Sequence, residues 1–218
     1  MVEGMVFILR TGCPWRDLPP CFGSWKSVYT RWRRWANVGL WAAILDLLGE
    51  GASGQLRHLD SSHIKVHQDA SNPVDGQTVE KMGRTKGGLN TKVTALVDSR
   101  GRALQLTLAP GNRNDGIAAQ EIALPSGKRV VADKAYDSNP VRRSIVQAGS
   151  TPCIPPMRSR VQTILYHRGF YAGRHHVENF FQRIKRLRRV GTRYDKLHIT
   201  FLAFVQLAAV LDWLNFRL

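Results

Sequence analysis

The segment Tyr171-Ala-Gly-Arg174-His-His-Val-Glu178-Asn-Phe-Phe-Gln-Arg-Ile-Lys185 reads as an amphipathic helix. At about 100° per residue, offsets of 0, 3, 7 and 14 fall within roughly 60° of arc. Tyr171, Arg174, Glu178 and Lys185 therefore share one stripe, which Gln182 and Arg189 extend. The neighbouring face carries Val177, Phe180, Phe181, Ile184 and Leu187, the spacing of a helix laid on a core. One carboxylate among several cations, at the edge of an apolar face, suits a wall that holds a metal and leans on a polyanion. A solvated basic face is the plainer alternative, and the rest of the chain has to decide between them.

The chain has 218 residues with a formal charge of +16, and 43% of it is hydrophobic. That length supports one large domain, or one domain with an appendage. An excess of positive charge this large points first to a nucleic-acid partner. Cys13, Cys21 and Cys153 are odd in number and form no CxxC, so they read as reduced thiols rather than a zinc site. Arg10 and Asp17 interrupt any signal-like run, and the apolar stretch 199–211 is too short to span a bilayer. No GxxxxGK[ST] occurs, so ATP is not implied.

Residues 1–52 read as a small helical region. Trp25, Val28, Tyr29, Trp32 and Trp35 recur at helical spacing beside Lys26, Arg31, Arg33 and Arg34. This suits a DNA-contacting module or a helical appendage with a solvated basic face. Gly51-Ala-Ser-Gly54 is a linker, and 56–218 reads as the main domain. There, 56–67 is a strand, 68–86 a polar loop, and 89–97 and 103–109 a hairpin about Asp98-Ser-Arg-Gly101. A helix capped by Asn114 or Asp115 reaches Leu124, and 128–133 is a short buried strand. Asn139 caps a helix ending at Gly149, 151–155 is a strand, and a last helix fills 200–216. The order is three antiparallel strands followed by alternating helices and strands.

The spacing Tyr-x2-Arg-x3-Glu-x6-Lys resembles the signature of bacterial insertion-sequence transposases of the DDE class, in the group numbered four and five. The blocks Gly87–Lys92, Ala132–Asp137, Ile154–Pro156 and Thr192–Lys196 resemble the same group, so the likeness covers nearly the whole chain. It implies an α/β, RNase H-like mixed sheet with a small helical N-terminal region. It also implies metal-dependent cleavage of double-stranded DNA at element ends and strand transfer into target DNA. Two Mg2+ or Mn2+ ions, a homo-oligomer on DNA, no membrane, and a cytoplasmic, nucleoid-associated bacterial setting go with it. A truncated or domesticated DNA-binding protein lacking transposition activity, or an RNase H-like nuclease acting on RNA or hybrids, would be the rivals.

Two divalent cations about 3.5–4 Å apart suit phosphodiester transfer, and hard cations want carboxylate oxygens. Asp60 lies mid-strand, where acidic residues are depleted. Asp133 ends a short apolar strand, at the edge where ligand crevices form. Asp137 competes with it and reads better as a cap or an orienting group. The resemblance makes Asp60, Asp133 and Glu178 the catalytic, metal-holding triad. It makes Tyr171, Arg174 and Lys185 DNA contacts. Arg183, Arg186, Arg188, Arg189 and Arg193 form a broader basic run that suits backbone binding, with a solvated face as the alternative for some of them.

Overall fold

The computed structural model describes residues 1–71, 74–162 and 164–215. Three helices come first: α1 (Val2–Thr11), α2 (Trp25–Asn37) and α3 (Leu40–Glu50). Then follow β1 (Leu56–Val66), a turn α4 (Val74–Gln77), β2 (Gly83–Thr85), β3 (Gly88–Asp98) and β4 (Ala103–Pro110). The second half alternates: α5 (Asp115–Ala118), β5 (Arg129–Ala132), α6 (Asn139–Gln147) and β6 (Thr151–Cys153). It closes with α7 (Arg168–Tyr171), α8 (His175–Lys185), α9 (Arg188–Gly191), β7 (Thr192–Arg193) and α10 (His198–Trp213). Phe216, the expected last residue of the closing helix, lies outside the described residues.

β1 is the centre of the sheet. Along one edge it pairs antiparallel with β3, Asp60 facing Ala95, and β3 pairs antiparallel with β4. On the other side β5 runs parallel to β1 only as far as Leu59↔Ala132, and β6 runs parallel to β5. β7 pairs with β1 further on, from Lys65↔Thr192. The β1–β5 ladder therefore stops one residue short of Asp60, and the sheet opens there.

The expected order of strands is present, with additions. The stretch 68–86 read as loop but holds α4 and β2, and Met82 within it is fully buried. The helix expected to reach Leu124 is a single turn, Asp115–Ala118, followed by a 3-10 turn, Ala119–Glu121. Asn114 caps it by accepting from the Gly116 N–H. Ser138 rather than Asn139 caps α6, its hydroxyl accepting from the Val141 N–H. β7 is too short to give a period-2 signal.

Two apolar layers sandwich the sheet. On one face Leu59, Leu96, Val130 and Ala132 pack with Tyr136, Val141 and Ile145. On the other, Ile64, Val93, Ala95 and Val97 pack against α8 and α10, and this core runs on into α1, α2 and α3. Trp32 is fully buried and stacks on Phe204 of α10 with ring centroids 4.0 Å apart. The N-terminal helices thus share one core with the sheet.

Two arginines of the expected basic run are structural, which corrects their reading as DNA contacts. Arg189 is 5% exposed, ion-paired through both Nε (3.0 Å) and Nη2 (3.1 Å) with Asp195, and donates to the Cys13 carbonyl. The helix ends at Lys185, so the stripe does not continue to this position. Arg193 is fully buried and donates to the carbonyls of Glu80, Asp195 and Lys196 and to the Thr91 hydroxyl. Burial pushes its guanidinium down to about 10, against the pull of Asp195 and Glu80. A buried charge is held only where donors are paired, and these are.

Replacing Trp32 by Ala removes a large buried ring, and such truncations cost about 3–5 kcal/mol. Because α1–α3 and α10 share a core, calorimetry should show one transition at lower Tm. A separate early transition for the first fifty residues would overturn the shared core.

Candidate active site

α8 is fixed by its apolar face. Val177, Phe180, Phe181 and Ile184 are all buried, so the helix has one orientation on the sheet. Upstream, residues 172–174 tighten into a 3-10 turn, yet Tyr171, Ala172, Arg174 and His175 all keep right-handed helical φ and ψ. The stripe of side chains therefore survives the change in pitch. Gly173 lets the backbone approach the sheet closely: a Cβ there would stand 3.0 Å from Cε1 of His58.

Each residue of the stripe reaches a different part of the sheet opening. The Arg174 guanidinium donates to Asp60 Oδ2 at 3.2 Å and to Glu178 Oε1 at 2.5 Å. The Tyr171 hydroxyl donates to Asp133 Oδ1 at 3.3 Å. Lys185 Nζ donates to the Ser62 hydroxyl at 2.6 Å and to the His63 carbonyl at 3.1 Å. Asp133 stands at the end of β5, where its carboxylate accepts from the Lys134 N–H at 2.6 Å and caps a 3-10 turn. Asp60, Asp133 and Glu178 thus come together at one opening, joined by Arg174 and Tyr171.

The other candidates separate cleanly. The Asp137 side chain is fully buried and accepts from Arg142, Arg160 and the Met157 N–H. Those donors hold its carboxyl below the usual range despite burial. Asp98 ends β3 at the turn into β4, paired with Arg102 at 2.6 Å. Arg183 points away from the acids and pairs with Asp212 at 2.6 Å.

Residues 52–213 match the family described as "Transposase DDE domain", and residues 1–45 match one described as "Putative transposase of IS4/5 family". The chain belongs to the DDE transposase family. It is 36% identical over 134 residues to a Brucella ovis protein named "Putative transposase for insertion sequence element IS6501", covering 58% of this chain and 100% of that protein. A Sinorhizobium fredii protein named "Uncharacterized protein y4sN" is 30% identical over 70 residues, and the match spans 32% of this chain and 56% of that relative. Among solved structures, the Mos1 strand transfer complex aligns with a TM-score of 0.29 at 10% identity, over 84% of this chain and 76% of that one.

The transposase is a polynucleotidyl transferase, and DNA binding goes with the family it belongs to. DDE transposase domains are generally divalent-metal dependent. None of these matches favours a binding protein without catalysis. Among the described residues no helix is long and apolar enough to cross a membrane.

Several groups that shape the opening carried no signal of their own in the sequence. The Tyr136 ring is buried, and its hydroxyl donates to Ser61 at 2.8 Å, with Ser61 and Thr94 hydroxyls 2.9 Å apart. This chain pins the turn after Asp133 to β1. Ser62 is revealed as a partner only by the register that points it at Lys185. His58 lies fully buried under Gly173, and neither ring nitrogen has a partner among the described residues. Burial, then His176 and His175, push it down to about 4, so it stays neutral.

Burial pushes the Asp60 carboxyl of the transposase up to about 6, with Asp133 and Glu178 adding to the rise and the Ser61 N–H and Arg174 opposing it. An acid with a raised folded pKa binds its proton more tightly folded than unfolded. Its ionisation therefore costs stability as pH rises from the unfolded value of about 3.9 through 6, on the order of 2–3 kcal/mol above that window. Asp60→Asn should raise Tm relative to the parent at pH 7.5 and much less at pH 4.5. Equal Tm differences at both pH values would count against the raised carboxyl.

Proposed function

We propose that Asp60, Asp133 and Glu178 are the catalytic carboxylates of an insertion-sequence transposase that frees a 3′-hydroxyl at the element end and joins it to target DNA. The observation that carries this is the convergence of three acids from β1, the end of β5 and α8 on the one place where the sheet opens. Their oxygens are the donors that hard divalent cations prefer. Among the described residues, no three His, Cys, Asp or Glu side chains stand close enough to enclose an ion as they are. The Arg174 guanidinium lies between two of the acids, with a cation's charge in the place an ion would take.

The three carboxylates would hold two Mg2+ or Mn2+ ions. When bound, such ions supply an activated attacking oxygen and stabilise the leaving oxygen. The chain's own residues do the rest. Arg174 bridges Asp60 and Glu178 in the free enzyme, then turns to a DNA phosphate. Tyr171 holds Asp133 and meets the DNA beside the cut. Lys185, held by Ser62, places a cation further along the same stripe, and burial lowers its pKa. The exposed Lys26, Arg31 and Arg34 of α2 offer further backbone contacts, and two copies on paired element ends complete the reading.

Asp60→Asn, Asp133→Asn and Glu178→Gln should each lower Mn2+-dependent cleavage of element-end DNA by at least about 10³-fold, the scale of losing a central transition-state contact. DNA binding in EDTA should remain. A variant that cuts at the parent rate removes that residue from the site.

Because Arg174 occupies the space between two acids, Arg174→Ala should tighten Mn2+ binding to the DNA-free protein several-fold, read by calorimetric titration, while slowing cleavage. Unchanged or weaker Mn2+ affinity would show that the guanidinium does not compete with the ion.

A further inference from the structure

A second concave surface lies on the far side of α8 from the acids. Arg183 and Lys185 are two positions apart, so they project roughly 200° apart around the helix. Lys185 faces β1, and Arg183 faces out into a groove of about 1120 Å³. The groove runs between α8 and the end of α10, bounded by the β3–β4 turn and the end of α1. Its walls carry five arginines, Arg10, Arg100, Arg102, Arg183 and Arg186, with Asp212 as the acid among them. Ile184, Leu187 and Trp213 line it as well.

The five fall into two sets. Arg102 is forked onto Asp98 at 2.9 and 2.6 Å and lies 3.9 Å over the Trp213 ring. Arg183 is forked onto Asp212 at 2.6 and 2.8 Å and donates to the Gly101 carbonyl at 2.7 Å. These two are structural and neutralised. Arg10, Arg100 and Arg186 are exposed, and their guanidiniums have no partner among the described residues. Folding gains nothing from gathering three unpaired cations at one concavity, because like charges repel. A concave basic wall focuses potential on whatever anion enters it.

We propose that this groove is a second nucleic-acid site, which holds the sugar–phosphate backbone of a DNA duplex away from the cleavage centre. The proposal rests on the transposase reading only in taking DNA as the polyanion. Guanidiniums suit phosphate oxygens through paired N–H donors. The site reads no sequence: the three free side chains meet phosphates, and the locked pair shapes the wall. α8 then presents one edge to the acids and the other to bound DNA, so the same rigid helix couples the two.

The experiment measures binding of a random-sequence duplex in EDTA across a salt series, by fluorescence anisotropy. Each phosphate contact contributes about −0.9 to the slope of log K against log salt. The triple variant Arg10→Ala, Arg100→Ala, Arg186→Ala should make the slope shallower by about 2–3. It should also weaken binding at least about tenfold near 0.15 M salt. The triple Arg84→Ala, Lys86→Ala, Arg143→Ala removes the same charge from exposed positions outside the groove and should change the slope far less. A groove triple with the parent slope, or with the slope of that control, overturns the proposal, as it would if the groove took an acidic protein segment. Circular dichroism confirms folding, and the removed side chains make no contacts that folding needs. Binding in EDTA is independent of cleavage, so loss of the triad reading would leave this result standing.

Discussion

The apolar face of α8 has one place to go. Burying Val177, Phe180, Phe181 and Ile184 gives about 1.5–3 kcal/mol per side chain. The ion pair between Arg174 and the half-exposed Glu178 belongs to a class worth less than about 1 kcal/mol. Packing therefore decides where the helix lies, and the ion pairs follow from that placement. This ordering matters for the chemistry. A bridge that contributes little can be opened by an incoming cation or phosphate without loosening the helix that carries Glu178.

The second constraint is the early end of β5. Its ladder with β1 stops at Leu59↔Ala132, and β7 does not pair with β1 until Lys65. The intervening stretch of β1 faces an opening rather than a strand. Asp60 and Asp133 meet at the lip of that opening because they follow the last paired residues. The hydroxyl chain Tyr136–Ser61–Thr94 ties the turn to β1 from the opposite face, since Ser61 points away from Asp60. The Asp60 carboxyl at this lip is buried enough to have its pKa raised, yet open enough to take a ligand.

The arginines divide the same way. Arg142, Arg189 and Arg193 are buried with carboxylates or carbonyls and serve as clips between segments distant in sequence. Arg10, Arg100 and Arg186 are exposed. Counting basic residues in 183–193 could not tell these classes apart, because charge in a sequence carries no depth. The helix break at Lys185 is what turns Arg189 inward, and nothing in the apolar periodicity marks it.

The sequence by itself determined the order of β1, β3, β4, β5 and β6 along the chain, the face of α8 that is buried, and the stripe of Tyr171, Arg174, Glu178 and Lys185. These depend on local periodicity and on spacing along one helix, which the chain states directly. It also singled out Asp60, since a mid-strand acid runs against propensity, and Asp133, since it ends an apolar strand where ligand crevices form and fits the resemblance. Only the tertiary structure decided that Arg174 spans Asp60 and Glu178, that β1–β5 pairing stops beside them, and that Arg189 and Arg193 are buried. Those facts join residues separated by up to 176 positions, and they are fixed by sheet register and side-chain burial. No local pattern encodes either one.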